Sequence, residues 1–330
     1  PTSSMVRKDL NSADFVLESL AYASDVTLFE SPSPDSSVAA LRSADIMSRM
    51  FCPVAVSVAV VDRAVMLFPQ IFVKQSAKRQ SQVLGHLIKV STASLAQMQQ
   101  QLQQQHPQYR SVTVNALCAI TRGLQALTKA RTPLGSGPTL TLLMNWVRQC
   151  AALADPLVRR AGAQCLGQLC RCEGSQITVS VLKSAIAALA AEKDDVAALG
   201  TAHLIGIVHR MTGAIQLASF QESAAQALLG KLGISRKLDI WVLHALWLMI
   251  EARGPSFAPL SGGSLDAVYK IIVGSHALQN PAICILIGRV VNAIVSVLGL
   301  DLQPGSRTFN RFSNVSAELR AYPHALVQQE

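Results

Sequence analysis

The sequence predicts an all-α protein, an α-solenoid of antiparallel HEAT-type helix pairs. Half of its 330 residues are apolar and 15% are charged, which is enough apolar material to bury a long core. Aromatic residues make up only 5%, so the apolar content is mostly aliphatic and suits packed helices better than a β-sandwich. The second half also repeats a helical pattern whose starts, at residues 155, 194, 235 and 280, are 39, 41 and 45 residues apart. This spacing is close to the period of about 40 to 47 residues that is typical of HEAT and armadillo proteins.

The repeat is marked by the residues at its helix ends. Four apolar segments each open with a capping residue and close with a glycine at the same interval: Asp155 to Gly174, Asp194 to Gly213, Ser235 to Gly254, and Asn280 to Gly299. Asp, Ser and Asn side chains accept hydrogen bonds from the unpaired amides of a first helical turn. Pro156 and Pro281 suit the first helical position, and glycine readily adopts the left-handed conformation that ends a helix. We therefore predict a long second helix in each of four repeats.

Shorter amphipathic helices complete the predicted pairs. They are expected at residues 138–154, 176–192, 220–232 and 265–275, and earlier helices at 9–23, 36–50, 54–68, 78–100 and 109–130. Asp155 and Arg159 also match the HEAT pattern, in which an Asp and an Arg mark the turn and the second helix. Since one pair cannot bury its own apolar face, neighbouring pairs must stack.

The domain prediction is one continuous HEAT-repeat array over residues 1–330. Its repeats are clearest at 138–174, 175–213, 219–254 and 264–299. Loops or insertions are expected at 31–37 (SPSPDSS) and 97–108, which is rich in glutamine, and a tight connection between repeats at 131–138. Because the chain opens with Pro1 and no signal peptide follows, we expect a fragment of a longer cytoplasmic protein or a processed product. Seven cysteines, most of them within apolar helical patterns, favour reduced thiols.

The charge and the apolar segments raise two further possibilities. The net charge is +9, but the basic residues form no run and are not interleaved with aromatic residues in the sequence, so no nucleic-acid partner is predicted. Residues 282–300 are long and apolar enough to span a membrane. A central Arg289 would cost about 2.5 to 3.5 kcal/mol there. We therefore predict that 282–298 is buried between repeats, with Arg289 reaching an acidic partner or a helix end.

No catalytic, cofactor or metal site is predicted. The cysteines nearest one another lack the paired spacing of zinc ligands on two separate loops. Cys165 lies within one predicted helix and Cys170 and Cys172 at its end, with Cys150 nearby in the preceding helix. His203 and His209 do not share a helical face, so packing or hydrogen-bonding roles are expected. Trp146, Trp241 and Trp247 are predicted to lie in the core. With no nucleophile–base pattern in view, we expect neither an enzyme nor a small-molecule substrate.

Several stretches resemble the HEAT-repeat-containing protein 5 family of large cytosolic trafficking proteins. They lie at 64–89, 114–127 and 155–174, and most clearly at 197–215, 241–255 and 285–303. The shortened stretch after His209 and Arg210 and the glutamine tract indicate a divergent member. The resemblance implies a non-enzymatic scaffold that helps to localise clathrin adaptor protein complex 1 and its accessory proteins. Such a scaffold would be cytoplasmic and peripheral on trans-Golgi and endosomal membranes through its partners, with self-association possible.

Two other functions are compatible with the same fold. A karyopherin-like transport receptor is also a HEAT solenoid, although its inner face is usually acidic whereas this chain is basic. A regulatory or scaffold subunit of another complex, such as one containing a kinase or a phosphatase, would differ only in its partners. The sequence leaves both alternatives open.

Overall fold

The structure, a computed structural model, describes residues 54–100, 107–135, 137–192, 194–213, 215–274, 280–299 and 302–327. Within these ranges every regular element is a helix and no strand is present, so the predicted all-α class is confirmed. The predicted helices 9–23 and 36–50 and the loop 31–37 lie outside the described residues. Of the predicted insertion 97–108, only the two ends are described, and both are helical.

The chain divides into two compact units, Pro1–Cys150 and Ala151–Glu330. The described helices of the first unit are α1 (Val54–Phe72), α2 (Ala77–Gln100), α3 (Pro107–Ala130) and α4 (Pro138–Ala152), in which the boundary falls. In this unit α3 packs against both α1 and α2. The continuous array and its repeat boundaries stay predictions.

Helix α1 runs four residues beyond its predicted end at residue 68, straight through Pro69. The prediction stopped there because proline usually breaks a helix interior. Continuation places Phe72 one turn after Phe68, where the two rings stack with their centroids 5.0 Å apart. Gly123 of α3 provides the space for them, since a Cβ atom at this position would lie 2.9 Å from the Phe68 ring. The packing of these rings therefore outweighs the local preference of proline.

The second unit contains eight described α-helices: α5 (Pro156–Glu173), α6 (Ser175–Ala191), α7 (Asp195–Thr212), α8 (Gln221–Leu229), α9 (Arg236–Arg253), α10 (Ala258–Gly274), α11 (Pro281–Leu298) and α12 (Arg307–Val327). Short 3₁₀ segments, Ile215–Phe220 and Gly254–Phe257, precede α8 and α10. We call α5, α7, α9 and α11 the second helices, and α6, α8 and α10 the first helices.

The predicted ends of the second helices are confirmed. The Asp155 carboxylate accepts hydrogen bonds from the amides of Leu157 and Val158 at 2.9 and 3.0 Å. The other three predicted caps also accept from first-turn amides, and each helix is followed by its predicted glycine at positive φ: Asp194, Ser235 and Asn280, with Gly174, Gly213, Gly254 and Gly299. Local capping therefore sets both ends of each helix.

The second helices pack on one another: α7 lies between α5 and α9, and α9 also packs against α11. Glycines allow the close approach. A Cβ atom at Gly206 of α7 would lie 2.6 Å from the Ala245 Cα atom of α9. A Cβ atom at Gly167 of α5 would lie equally close, at 2.6 Å, to the Ile207 side chain of α7. The backbones of adjacent second helices are therefore nearly in contact.

Two predicted first helices have different bounds in the structure, and one further helix was not predicted. The helix predicted at 220–232 is the shorter α8, which ends at Leu229, and a 3₁₀ segment that holds the buried Leu217 precedes it. Helix α10 begins before the predicted residue 265 and contains Gly262, against which Arg311 of α12 packs. Arg311 also forms an ion pair with Asp266 at 2.6 Å. Helix α12 itself was not predicted, and it is supported by its packing against α10.

Among the described residues, α11 is the one helix with the length and apolarity to cross a membrane. One face of α11 is buried within the unit. The buried residues of that face are Ile283, Leu286, Ile287, Val290, Val291, Ala293, Ile294 and Leu298. The burial of this face agrees with the prediction for 282–298. The prediction for Arg289 is wrong: its guanidinium lies 4.9 Å from the centroid of the Trp247 ring, rather than on an acidic side chain or a helix end.

Candidate functional site

The second helices bring aromatic, histidine and arginine side chains into one row. We call it the Trp–Arg row, and it consists of Arg159 of α5, His203 of α7, Trp241, His244 and Trp247 of α9, and Arg289 of α11. The row therefore crosses all four second helices. None of its members is near in sequence to the members on other helices, so only the packing of the helices creates it.

One half of the row is centred on Trp241. The Arg159 guanidinium reaches it across α7 and lies 5.1 Å from the ring centroid, which is within cation–π range. The His203 ring meets Trp241 edge-on, with centroids 4.8 Å apart. Arg159 also donates hydrogen bonds to the carbonyls of Leu153 and Ala154, at 2.9 and 2.6 Å. Because its donors close the turn before α5, Arg159 fixes this end of the row.

The other half is centred on Trp247. The His244 ring lies 5.2 Å from His203 and 5.5 Å from Trp247, measured between centroids. The Arg289 guanidinium covers Trp247 from α11. Arg289 is exposed to solvent, and Trp241, His244 and Trp247 are partly exposed. This half of the row is therefore accessible to a partner.

The glycine contact between α7 and α9 holds the centre of the row. Gly206 lies one turn after His203, and Ala245, which it touches, follows His244 directly. Side chains at i and i+3 share a helical face, so the close approach at Gly206 brings His203 within reach of α9. A larger residue at 206 would push the two helices apart and open the row.

The environment of the row keeps His203 neutral. Burial lowers its pKa to about 3, and repulsion from His244 when that ring is protonated, and from Arg160 and Arg159, acts in the same direction. His203 is 1% exposed, and neither ring nitrogen has a hydrogen-bond partner within the described part of the chain. An imidazole without partners contributes packing rather than charge, so the charge of the row belongs to its arginines.

His244 is held neutral by the same effects. Burial lowers its pKa to about 4, followed by the charges of Arg160, Arg289 and Arg210. Arg160, Arg210 and Arg289 are all exposed. Across the described ranges, no ion pair joins any of these three arginines to a carboxylate. The row is therefore flanked by positive charge that other described residues do not neutralise.

A groove between α9 and α11 continues from the Trp247 end of the row. Its volume is about 440 Å³, and it is lined by Trp247, Ile250, Glu251, Gly254, Pro255, Arg289, Asn292, Ala293, Ser296 and Val297. The floor includes the buried Ile250 and Ala293, while Asn292 and Ser296 are exposed. Glu251 is the one acidic side chain in this lining. The groove can thus accept an apolar side chain of a ligand, next to the polar side chains of Asn292 and Ser296, which can hydrogen-bond to the ligand's backbone.

A buried polar contact also joins α7 and α9 away from the row. The His209 Nδ1 atom of α7 accepts from Arg253 of α9, with the Nε atom at 3.2 Å and the Nη2 atom at 2.7 Å. Burial lowers the pKa of His209 to about 3, with the charge of Arg253 as the second cause. The predicted packing and hydrogen-bonding roles of His203 and His209 are confirmed.

The tryptophan predictions hold in part. Trp146 is 3% exposed and lies in the core, as predicted. The predicted core positions of Trp241 and Trp247 are wrong, because both are partly exposed in the row. A partial signal was available: His244 is three residues from Trp241 and three from Trp247, so it shares a helical face with each of them in turn. Their neighbours on α5, α7 and α11 could not be found in this way.

The four cysteines between residues 150 and 172 are buried or partly buried. Cys150, Cys165 and Cys170 are fully buried, and Cys172 is partly buried. In the part of the chain that the structure describes, no group of three or more His, Cys, Asp or Glu side chains is placed to hold a metal ion. These cysteines therefore add no candidate metal site within the described residues.

The sequence of the chain is similar to part of a curated protein, but no protein-family model matches the chain. Over 228 residues, or 65% of this chain, the sequence is 29% identical to Protein SWEETIE of Arabidopsis thaliana, and the match spans 10% of that protein's length. The chain thus corresponds to about a tenth of the curated relative.

Solved structures of the karyopherin Kap121p have a similar fold. The structure bound to the SUMO protease Ulp1p gives a TM-score of 0.53 at 12% identity, covering 95% of this chain and 28% of the karyopherin. Kap121p by itself gives 0.51 at 14% identity, covering 93% and 27%. At such identities the likeness concerns the fold alone. The protein is an all-α solenoid of the HEAT-repeat class.

Proposed function

We propose that this chain is part of a non-enzymatic, protein-binding scaffold in traffic between endosomes and the trans-Golgi network. It would support the localisation of clathrin adaptor protein complex 1 and its accessory proteins, and would reach membranes from the cytoplasm through these partners. The observation that carries the proposal is where the family-like stretches fall. Residues 197–215, 241–255 and 285–303, which most resemble the HEAT-repeat-containing protein 5 family, include most of α7, α9 and α11.

The geometry of those helices supports a binding role. They carry five of the six side chains of the Trp–Arg row and eight of the ten residues that line the adjoining groove. Stacked repeats form extended surfaces that engage partners along several helices. Several modest contacts on one chain strengthen binding through effective concentration. A scaffold of this kind needs accessible side chains on a rigid frame, and the second helices provide both.

The test uses the full-length parent protein. We expect affinity purification followed by mass spectrometry to recover adaptor complex 1 subunits, and depletion of the protein to redistribute the adaptor in cells. Unchanged adaptor distribution together with no adaptor subunits in the purified fraction would contradict the proposal. Recovery of nuclear transport factors would favour a karyopherin-like receptor instead. Recovery of a kinase or a phosphatase would favour a regulatory subunit.

A further inference from the structure

We infer that the Trp–Arg row and the adjoining groove bind one extended acidic segment of a partner protein. The inference deepens the proposed function and rests on its protein-binding part, but it requires no role in membrane traffic. In the bound state, carboxylates of the segment meet Arg160, Arg210 and Arg289, and an apolar side chain enters the groove between α9 and α11.

Charge complementarity selects an acidic partner. Arg160, Arg210 and Arg289 extend from three different second helices. Arg160 follows Arg159 of the row, Arg210 lies two turns after His203 on the same side of α7, and Arg289 belongs to the row itself. The charges of all three lower the pKa of the half-buried His244. Each is exposed and unpaired with a carboxylate within the described ranges. Guanidinium groups bind carboxylates through paired, charge-assisted hydrogen bonds. Since His203 and His244 are neutral at pH 7, the positive charge is concentrated on these separate arginines.

The tryptophans restrict how the arginines can move. The Trp247 ring lies under the Arg289 guanidinium and leaves the donor edges of that group free to face a ligand. An arginine that is stacked in advance loses less side-chain entropy when it binds a carboxylate. This arrangement distinguishes Arg289 from an unsupported surface arginine.

The spacing of the helices sets the length of the segment. Adjacent packed helices lie about 8 to 10 Å apart, so the three steps from α5, which carries Arg160, to α11 require roughly 27 Å. An extended peptide advances about 3.3 Å per residue, and about eight residues therefore span the exposed arginines of α5, α7 and α11. A segment of about eight residues would reach both the arginines and the groove. An extended conformation also leaves peptide groups free to bond Asn292 and Ser296.

The groove favours a peptide over a nucleic acid. Its lining includes Glu251 beside Arg289, so any ligand that enters must pass a carboxylate. A nucleic-acid strand carries one negative charge per nucleotide and would be repelled there. A peptide can place a neutral, apolar residue at this point, against Ile250 and Val297. The tryptophan faces that bases would use for stacking are also partly covered by Arg159 and Arg289.

The probe is a fluorescein-labelled peptide of about eight residues that alternates Glu with Leu. Anisotropy titrations with the 330-residue chain measure its dissociation constant. We expect saturable binding that weakens as salt is raised, and binding at least about tenfold weaker for a matched peptide with Gln in place of every Glu. An Arg160→Gln, Arg210→Gln, Arg289→Gln triple variant should also bind at least about tenfold more weakly.

The matched control removes the same charge elsewhere. The triple variant Arg63→Gln, Lys78→Gln, Lys129→Gln alters exposed residues of the first unit and should keep the affinity within about twofold. Circular dichroism melts establish that each variant is folded. If the Arg289 substitution unfolds the chain, Arg210→Gln alone replaces the triple variant, because Arg210 is exposed and makes no ring contact.

Three results would overturn the inference. They are equal affinity for the Glu and Gln peptides, equal weakening by both triple variants, and saturable binding of a single-stranded oligo-dT where the Glu peptide does not bind. The last result would assign the row to nucleic acid. Failure of the peptide test leaves the recovery of adaptor subunits unaffected, so it can be distinguished from failure of the proposed function. Loss of the adaptor result likewise leaves the peptide test intact.

Discussion

The first and second helices of the second unit differ in regularity and in packing. All four second helices contain 18 residues, begin with a side-chain cap and end before a glycine at positive φ. The first helices vary: α6 and α10 have 17 residues and α8 has 9. Helices α6 and α8 lack a side-chain hydrogen bond at their N-caps.

The difference shows where the structure is most constrained. A second helix such as α7 packs against a second helix on each side, and glycines shorten both distances. An error in its length or ends would disturb both neighbours. A first helix packs mainly against helices of its own and the adjoining repeats and can vary more. The regular layer also carries the Trp–Arg row, so the layer that supports the fold is also the candidate binding surface.

The largest effect is expected for Leu166→Asp on α5. Leu166 is 0% exposed. A carboxylate buried there without a partner would lower the free energy of unfolding by several kcal/mol, about 4 or more, or prevent folding. Leu157→Asp is the matched control, because Leu157 lies on the same helix and is 53% exposed. Urea denaturation should separate the two variants. Equal destabilisation would contradict the inward position of Leu166.

The next effect concerns acid and the buried histidines of α7. The folded-state pKa values of His203 and His209, about 3, lie below the ordinary value of 6.5. Below pH 6.5 the unfolded chain therefore binds protons that the folded chain does not. Stability is fully present above this pH and falls as pH decreases from about 6.5 towards 3. Each histidine contributes up to about 1.4 kcal/mol per pH unit.

Thermal melts at pH 7 and pH 5 measure this dependence. His209→Gln should reduce the loss of stability between the two pH values, whatever its effect at pH 7. The exposed His86→Gln is the control and should leave the difference unchanged. A wild-type chain equally stable at both pH values would argue against burial of these two imidazoles.

The same glycine-to-alanine substitution should change the stability in opposite directions at Gly206 and at Gly288. Gly206→Ala places a methyl group against the α9 backbone and should destabilise the chain by about 1 to 3 kcal/mol. Gly288 of α11 has no atom within 4 Å of a built Cβ position. Gly288→Ala should therefore stabilise by about 0.5 to 1 kcal/mol, since alanine favours the helix interior. A Gly206→Ala variant at least as stable as the wild type would mean that the close approach of α7 and α9 is absent.

A smaller effect is expected from the caps. Asp194→Ala removes the acceptor for the amides of Val196 and Ala197 and should cost about 1 kcal/mol. Ser175→Ala at the start of α6 is the control, because that helix has no side-chain cap and Ser175 is exposed. Its expected change is within about 0.5 kcal/mol. Chemical denaturation resolves this difference in the free energy of unfolding. A larger loss of stability for Ser175→Ala than for Asp194→Ala would contradict the role of the Asp194 cap.

The smallest effect is expected for deletion of the glutamine tract at 99–105. Shortening a connection changes its closure entropy only slightly, by about 0.6 kcal/mol for a twofold change in length. Residues 101–105 lie outside the described residues, while 99 and 100 end α2. Thermal melts should place this deletion far below Leu166→Asp. A deletion that is the more damaging of the two would show that the tract is part of the fold.

Some elements were predictable because their causes are local. The caps at Asp155, Asp194 and Asn280 act on amides within three residues, and the glycines act on their own φ angles. Helix α12 and the continuation of α1 through Pro69 were missed for the opposite reason. Both depend on packing against helices that are distant in sequence, and local preference favours a break at Pro69.

The sequence by itself determined the helical class, the apolar core and the ends of the second helices, since hydrophobic periodicity and capping are properties of short segments. The tertiary structure decided the position of Trp241 and Trp247 and the stacking of Arg289, neither of which was predicted correctly. Arg289 reaches Trp247 because α11 packs against α9. His203 reaches Trp241 because Gly206 lets α7 approach α9. A surface built from several helices depends on their relative placement, and that placement is set by packing across the whole unit.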